Sequence, residues 1–441
     1  MALISVAELE SFLNRFAQPP VVYVGLSGGI DSVVLLHCLS VLNANKPELK
    51  IRAIHVNHGL SDNAQQWQTF CQQFCKSLAI PLHCQQVQIK KTSRQSLEQL
   101  ARDARYQAFK QIVSPADVLT TGQHLDDQAE TFLLRLKRGS GPAGLAGMQA
   151  ISCNQYGQTI WRPLLKIKRR RIIAYAKAHR LHWIEDESNQ DLQFDRNFLR
   201  QQILPTIESR WPGFSECVAR SADLCRMQNE LAQDMAQMDA ERCIKGRQLD
   251  LNQLVQLAEH RQFNLLRYWL LQFQPLMPSF QQMQQLLAMQ TAKPDAQPEL
   301  VVSGGQVRRY QDSLYFLSQR QLEFFARTKQ QHAASEPFCL SDGQTAQLDF
   351  SENSGHIKLM VPLADMIIKY QLPSSLSCRP QGRKHSRTLK KLWQEYQIPV
   401  WQRSSIPYLF YQGQLVAALG HWICADYYQS VQGPGYCLVN S

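Results

Sequence analysis

The chain has no uninterrupted apolar run of about eighteen residues, the length a membrane-spanning helix needs, so a bilayer-embedded protein is not expected. Its opening residues, Met-Ala-Leu-Ile-Ser-Val-Ala-Glu-Leu-Glu, put no basic stretch ahead of an apolar core, which argues against a secretory signal and for a cytoplasmic location. No two of the 12 cysteines stand two residues apart, and outside a secreted protein they do not suggest a disulfide framework. Cys71 and Cys75 have the spacing of one helix face, not that of a metal or redox pair. Repeats and low-complexity tracts are missing as well. What remains is a globular composition, 44% hydrophobic and 19% charged over 441 residues, enough for two or three domains.

Acidic residues are in deficit. Against 47 lysines and arginines stand 36 aspartates and glutamates, a formal charge of +11 and a pI near 9.1. Such a surplus favours a polyanionic partner, and nucleic acid is the commonest.

Apolar periodicity alternates between strand and helix in the first part of the chain. The β-branched run at 21–26 leads into helical spacing through Val33, Leu35, Leu36 and Leu39. Strands are expected at 51–56, 82–89, 118–121 and near Ile160-Trp161, with helices ending near 79, spanning 93–113 and spanning 126–137. Alternation of this kind predicts an α/β fold, a doubly wound parallel sheet of order 3-2-1-4-5, occupying residues 1–215. A mainly helical domain is expected over 216–327, with long helices at 251–273 and 280–289 and a small hairpin at 300–317. Residues 328–346 read as a linker, and the segment 328–441 ends in a small α+β domain with one basic helix at 388–396.

Between the first strand and helix lies Ser27-Gly-Gly-Ile-Asp-Ser32. The glycine N–H groups can converge on an anion with no Cβ in the way, and the helix dipole adds attraction. Ser27 and Ser32 are candidate hydroxyl donors. Asp31 repels phosphate unless a divalent cation is shared between them, so the loop suggests a Mg-nucleotide. Neither a Walker lysine nor a G-x-G-x-x-G spacing is present. Ser303-Gly304-Gly305, the same tripeptide without Asp-Ser, reads as an ordinary turn.

After the fourth strand, Asp126, Asp127 and Glu130 fall in the first helical turn. Alone they read as a capping box. In an open sheet of the expected order, however, the loops after strands one and four flank the switch point where ligands bind. A third cluster, Glu185-Asp-Glu-Ser-Asn-Gln-Asp191 followed by Arg196 and Arg200, suits a cationic substrate and a phosphoryl group.

Ser27-Gly-Gly-Ile-Asp-Ser32 resembles the signature of the PP-loop ATP pyrophosphatase superfamily. Taken with His124-x-Asp-Asp-x-x-Glu-Thr131, Lys137-Arg-Gly-Ser-Gly-Pro-Ala-Gly-Leu145, Asp186-Glu-Ser-Asn-x-Asp191, Arg196-Asn197 and the C-terminal Gly382-Arg-Lys and Leu389-Lys-Lys-Leu-Trp-Gln-Glu395, nearly the whole chain resembles the tRNA(Ile)-lysidine synthetase family. The resemblance implies that ATP adenylates the wobble cytidine of the CAU anticodon of tRNA(Ile) at carbon 2. Free lysine then displaces AMP, changing the codon read from Met to Ile. It further implies ATP binding by Ser27, Gly28, Gly29, Ile30, Asp31 and Ser32, and catalytic roles among Asp31, Asp126, Asp127, Glu130 and Arg196. Asp31 and Asp127 become candidates for Mg²⁺, and Asp127, Glu130, Glu187 and Asn189 for lysine, with the division of roles left open.

For tRNA the candidates are Arg135, Lys137 and Arg138 beside a flexible Gly139–Gly144 loop, the basic helix start Lys168-Arg-Arg-Arg171, and Arg383, Lys384, Lys390 and Lys391 around Trp393 and Trp401. A homodimer is the assembly considered. Two rivals stand beside this reading. A sulfur-transferring PP-loop enzyme would need a reactive cysteine or a cysteine-ligated cluster by the loop, and a non-catalytic RNA-binding protein would have damaged acidic motifs.

Overall fold

Four residues that prefer extended backbone, Val22–Gly25, form β1 at the centre of a six-stranded sheet. The computed structural model describes residues 4, 6–13, 21–45, 49–59, 63–88, 97–273, 276, 278–292, 296–326, 331–341 and 343–440. The chain divides into two compact units, 1–231 and 232–441.

In the first unit the elements run α1 (Val6–Leu13), β1, α2 (Ile30–Asn45), β2 (Ile51–Asn57), α3 (Ala64–Ser77), β3 (Leu82–Gln86), α4 (Leu97–Ile112), β4 (Val118–Thr120), α5 (Leu125–Lys137), α6 (Pro142–Leu145), β5 (Ile151–Cys153), β6 (Thr159–Trp161) and α7 (Arg169–Ala178). The sheet order is β3-β2-β1-β4-β6-β5, with β1 parallel to both β2 and β4. This is the expected 3-2-1-4-5 order, its fifth strand being β6, plus one short antiparallel edge strand, β5. The end of the third strand at Ile89 and the helix start at Ser93 lie outside the described residues.

Side chains alternate across a strand, and β1 shows it: Val22 and Val24 join the core under α2 and α7, while Tyr23 joins Ile54, Phe109 and Leu119 on the other face. Val33, Val34, Leu35 and Leu36 of α2 are all buried, each contributing about 1.5–3 kcal/mol by leaving water. The core therefore fixes where α2 begins, and with it the loop that precedes α2.

Beyond the sheet come α8 (Asp195–Phe198), a π turn (Leu199–Ile203), α9 (Leu204–Arg210) and the 30-residue α10 (Phe214–Cys243).

The second unit opens inside α10, and after it come β7 (Ile244–Lys245), β8 (Gln248–Asp250), α11 (Leu251–Leu254), α12 (Glu259–Leu271), α13 (Phe280–Ala288), β9 (Glu299–Val302), β10 (Gly305–Tyr310) and β11 (Ser313–Ser318). The expected hairpin is thus part of a five-stranded sheet, and Ser303-Gly304 forms the turn between β9 and β10, with Gly304 at φ 81°. The single helix expected over 251–273 is two: Asp250 caps α11, a turn follows, and Ala258 is extended before α12 begins. Apolar spacing ran on across the break because Leu254, Leu257 and Leu265 all pack into one core.

Downstream lie α14 (Gln319–Ala326), β12 (Gln331–Ala333), β13 (Phe338–Cys339), β14 (Thr345–Ile357), β15 (Met366–Lys369), β16 (Ser377–Cys378), β17 (Arg387–Thr388), α15 (Leu389–Glu395), α16 (Val400–Arg403), β18 (Tyr408–Tyr411), β19 (Gln414–Ala418), β20 (Trp422–Ile423) and β21 (Tyr428–Asn440). The stretch expected as a linker holds β12, β13 and the start of β14, its residues 328–330 and 342 being outside the described set. Its strands pair with β15 and β21, partners far along the chain, so tertiary pairing overrides a polar composition.

Candidate active site

The loop after β1 folds back on itself. Ser32 donates its hydroxyl to the Gly29 carbonyl at 2.9 Å, and Ser27 donates its N–H to Ser32 Oγ at 3.2 Å. Gly29 N–H in turn reaches Ser27 Oγ at 3.3 Å. The buried Ser32 hydroxyl is therefore a brace that shapes the loop, where the sequence suggested a free donor. Gly28 sits at φ +89°, and a Cβ there would lie 2.7 Å from Ile184 Cδ1. Its carbonyl accepts the Ile184 N–H at 2.9 Å, so the acidic segment after α7 lies across the loop. Only glycine meets both demands.

A second close approach comes from the loop after β4. A Cβ on Gly122 would be 2.9 Å from the Asp31 carbonyl carbon, so the two loops that the topology predicted to share a crevice touch there. His124, fully buried, caps α5. Its Nδ1 accepts the Asp127 N–H at 3.4 Å, while Asp127 Oδ2 accepts the His124 N–H at 3.0 Å. Nε2 is then the protonated nitrogen, 3.5 Å from both Asp31 Oδ1 and Asp127 Oδ2. Asp31 Oδ1 is buried and has no hydrogen-bond partner among the described residues. Burial pushes the Asp31 carboxyl above the ordinary aspartate value, and the neighbouring His124 opposes that rise. A carboxylate oxygen kept dry and unpaired beside a phosphate loop fits a Mg²⁺ that arrives with a nucleotide. Among the described residues no group of three His, Cys, Asp or Glu is set to hold a metal alone, so phosphate oxygens would have to complete its shell.

Further along α5, Glu130 is completely buried and doubly clamped. Arg200 gives Nε to Oε1 at 2.6 Å and Nη2 to Oε2 at 3.0 Å, and Arg196 Nε stands 3.2 Å from Oε2. Arg200 Nη2 also reaches Asp127 Oδ1 at 2.9 Å, and Arg196 Nη2 reaches Thr131 Oγ1 at 3.1 Å. Burial raises the Glu130 carboxyl above its usual range, with the Arg200 hydrogen bond pulling it back. At Arg200, burial works against the charge, but Glu130, Asp127 and Asp31 outweigh it. Asp126 turns elsewhere, accepting the backbone N–H of Arg169 at the start of α7.

Glu187 and Asn189 belong to the segment that crosses Gly28. Glu187 Oε1 accepts from Asn63 Nδ2 at 3.1 Å, and the Asn189 carbonyl accepts from Gln201 at 2.6 Å. The buried thiol nearest the loop is Cys71, whose Sγ would be 3.4 Å from a Gly28 Cβ. Burial pushes that thiol up to about 12, which disfavours the thiolate form a sulfur-transfer mechanism uses.

Among the basic candidates, Arg135 points inward, donating to the carbonyls of Gly144 and Gly147. It holds down a loop that the sequence suggested was flexible and that contains the helical turn α6. Lys137 pairs with Asp195 at 2.8 Å, whereas Arg138 is exposed. On α15, Leu389, Leu392 and Trp393 face the core and Lys390 and Lys391 face outward with Lys384 nearby. Arg383 is shared with Glu395 at 3.2 Å. Trp393 is a packing residue, its Nε1 bonded to Tyr408 at 2.8 Å, and Trp401 packs against Tyr310 and Tyr315. Sequence reasoning left His124 out of the site and gave Arg200 a lesser place. A histidine ahead of an acidic helix start was the only signal for the first, and the second depended on a contact 70 residues away.

A parallel sheet with a Ser-Gly-Gly loop at its switch point, faced by braced carboxylates and arginines, defines an ATP-binding enzyme of the PP-loop class. Residues 1–207 match the model of the PP-loop domain family, 249–315 the TilS substrate binding domain, and 367–438 the TilS substrate C-terminal domain. Curated relatives include the tRNA(Ile)-lysidine synthase of Edwardsiella ictaluri, 41% identical over 94% of this chain and 93% of the relative. That of Serratia proteamaculans is 41% identical over 91% of both chains, and that of Vibrio vulnificus 43% over 91% of both. The chain belongs to the tRNA(Ile)-lysidine synthase family. Among the described residues no helix is long and apolar enough to cross a membrane.

Proposed function

We infer that this protein is an ATP-dependent ligase that joins free lysine to carbon 2 of the wobble cytidine in the CAU anticodon of tRNA(Ile), releasing AMP and pyrophosphate. Family membership supports the reaction, and the convergence of Asp31, Asp127 and the Arg196–Arg200 pair on one crevice is the observation that ties it to this chain.

The cytosine O2 is a poor leaving group, and its attack on the α-phosphorus converts it into AMP as pyrophosphate departs. The Ser27–Ser32 loop and the α2 dipole receive the phosphates. Asp31 and Asp127 would hold Mg²⁺, which when bound offsets pyrophosphate charge. Arg196 and Arg200 turn toward the transferring α-phosphate, and Glu130, with both oxygens occupied by them, serves to aim them. Lysine then adds to carbon 2 through its neutral ε-amine, one proton is lost, and AMP leaves with the C–O electron pair. Asp127, Glu187 and Asn189 are the groups we assign to the incoming amino acid, and Asp126 to fixing the wall of the crevice. Arg138, Lys384, Lys390 and Lys391, exposed on their elements, suit tRNA phosphates, with Lys137 and Arg383 available on breaking surface ion pairs. Catalysis then falls to 1–215, and substrate recognition to 216–327 and 328–441.

The test is incubation of the protein with ATP, Mg²⁺, labelled lysine and unmodified tRNA(Ile). Label entering the RNA with release of AMP and pyrophosphate is the expected result. AMP formation without label in the RNA would assign a different nucleophile and refute the reading.

A further inference from the structure

The basic run at the start of α7 reads in sequence as a face for RNA, and the structure separates its members. Lys168 is ion-paired with Glu216, and Arg171 with Glu8 at 2.8 Å. Arg170 is exposed. Arg169 is half-buried, as Lys168 and Arg171 are, but among the described residues it forms no ion pair. Its position is fixed by two links to α5: the Leu125 N–H donates to the Ile167 carbonyl at 3.0 Å, and the Arg169 N–H donates to the Asp126 carboxylate. The positive charge of Arg169 is felt at both Asp31 and Asp126. Even so, its Nε is shut away from water with no hydrogen-bond partner among the described residues.

A buried guanidinium nitrogen without an acceptor is retained where an acceptor arrives with a ligand. Arg196 and Arg200 are already charge-matched by Glu130 and Asp127, so they add little net positive charge to the crevice. Arg169, by contrast, forms no direct ion pair among the described residues, and its charge reaches Asp31, next to the phosphate loop. We propose that Arg169 is a pyrophosphate-binding residue, its guanidinium engaging the β- and γ-phosphates of ATP. When cytosine O2 bonds to the α-phosphorus, the bond from that phosphorus to the bridging oxygen breaks. The electron pair leaves with pyrophosphate, and Arg169 meets the charge that grows there. This rests on ATP occupying the crevice.

The experiment measures product inhibition on the full-length enzyme. Arg169→Gln is expected to weaken inhibition by pyrophosphate about tenfold or more, the worth of a charge-assisted hydrogen bond, and to slow adenylation by roughly 10²–10³. Inhibition by AMP, tRNA affinity and its salt slope should stay as in the parent. Arg169→Lys should recover part of the loss, since a point charge replaces a fork. Unchanged pyrophosphate inhibition together with weaker tRNA binding and a shallower salt slope would return Arg169 to an RNA contact and overturn the proposal. Equal weakening toward AMP and pyrophosphate with a lowered melting temperature would make it structural, which overturns it too. Asp31→Asn serves as the separate control: if pyrophosphate release survives that change, the crevice itself is misassigned, whatever Arg169 does.

Discussion

Replacing Glu130 should destabilise the N-terminal unit before it does anything to chemistry. The carboxylate is wholly buried and takes three arginine contacts between 2.6 and 3.2 Å. Removing one partner of a buried ion pair costs about 3–5 kcal/mol because the other charge is stranded. Here the stranded arginines are 31% and 29% exposed and can recover part of their hydration, which places Glu130→Ala at the lower end, about 3 kcal/mol. For a unit of this size that corresponds to a fall of roughly 6–12 °C in its melting transition. The assay is urea unfolding of the full chain at neutral pH, run as a cycle with Arg200→Ala and the double variant. Much of the loss should vanish in the double variant, with a coupling above about 1 kcal/mol. Glu130→Gln, which keeps the shape, should lower kcat by displacing Arg196 and Arg200 yet leave the pH–rate profile unmoved, since a group that aims others does not titrate in turnover. A loss below about 1 kcal/mol with additive variants would refute the clamp, and disappearance of the acid limb in Glu130→Gln would make Glu130 the general base.

Three further outcomes follow from the same geometry. Gly28→Ala, at φ +89° with Ile184 Cδ1 2.7 Å from the new Cβ, should cost about 1–3 kcal/mol and raise the KM for ATP far more than that for lysine, measured by steady-state kinetics. Asp31→Asn should abolish adenylation while raising apo stability at neutral pH. Because burial raises the folded-state value of Asp31, the native state holds that proton more tightly than the unfolded chain, and stability falls as pH rises through the raised value. The gain of the variant should therefore shrink as pH drops toward the ordinary aspartate value, a trend that melting curves across pH would show or deny. Lys390→Glu with Lys391→Glu should weaken tRNA binding and flatten the salt slope by about 1.8, leaving ATP affinity intact; an unchanged slope removes α15 from the tRNA surface.

What could be read in advance divides along sequence distance. The phosphate loop was legible because all its demands are local: a strand end, two glycines, a helix start and the oddity of Asp31 lie within one short stretch. The strand order was that of an open, doubly wound sheet with alternating helices, and that order put the Asp31 and Asp127 loops at one switch point. The long helix expected over 251–273 and the linker over 328–346 failed for opposite reasons. In the first, apolar spacing persisted through a turn because several pieces share one core. In the second, polar residues became strands because β15 and β21 supply the hydrogen bonds. The arginines were the hardest to assign, since a guanidinium looks the same in sequence whether it pins a loop, as Arg135 does, clamps a carboxylate, as Arg200 does, or awaits an anion. The deciding quantity is the partner, and partners are set by packing. That is why four consecutive basic residues, which composition treats as one patch, resolve into two ion pairs, one exposed charge and one that faces the crevice. Asp127 and Glu130 are matched by fixed arginines, and Arg169, which forms no ion pair among the described residues, then offers its guanidinium to the polyanionic end of ATP, so that the nucleotide's orientation is set before the base arrives.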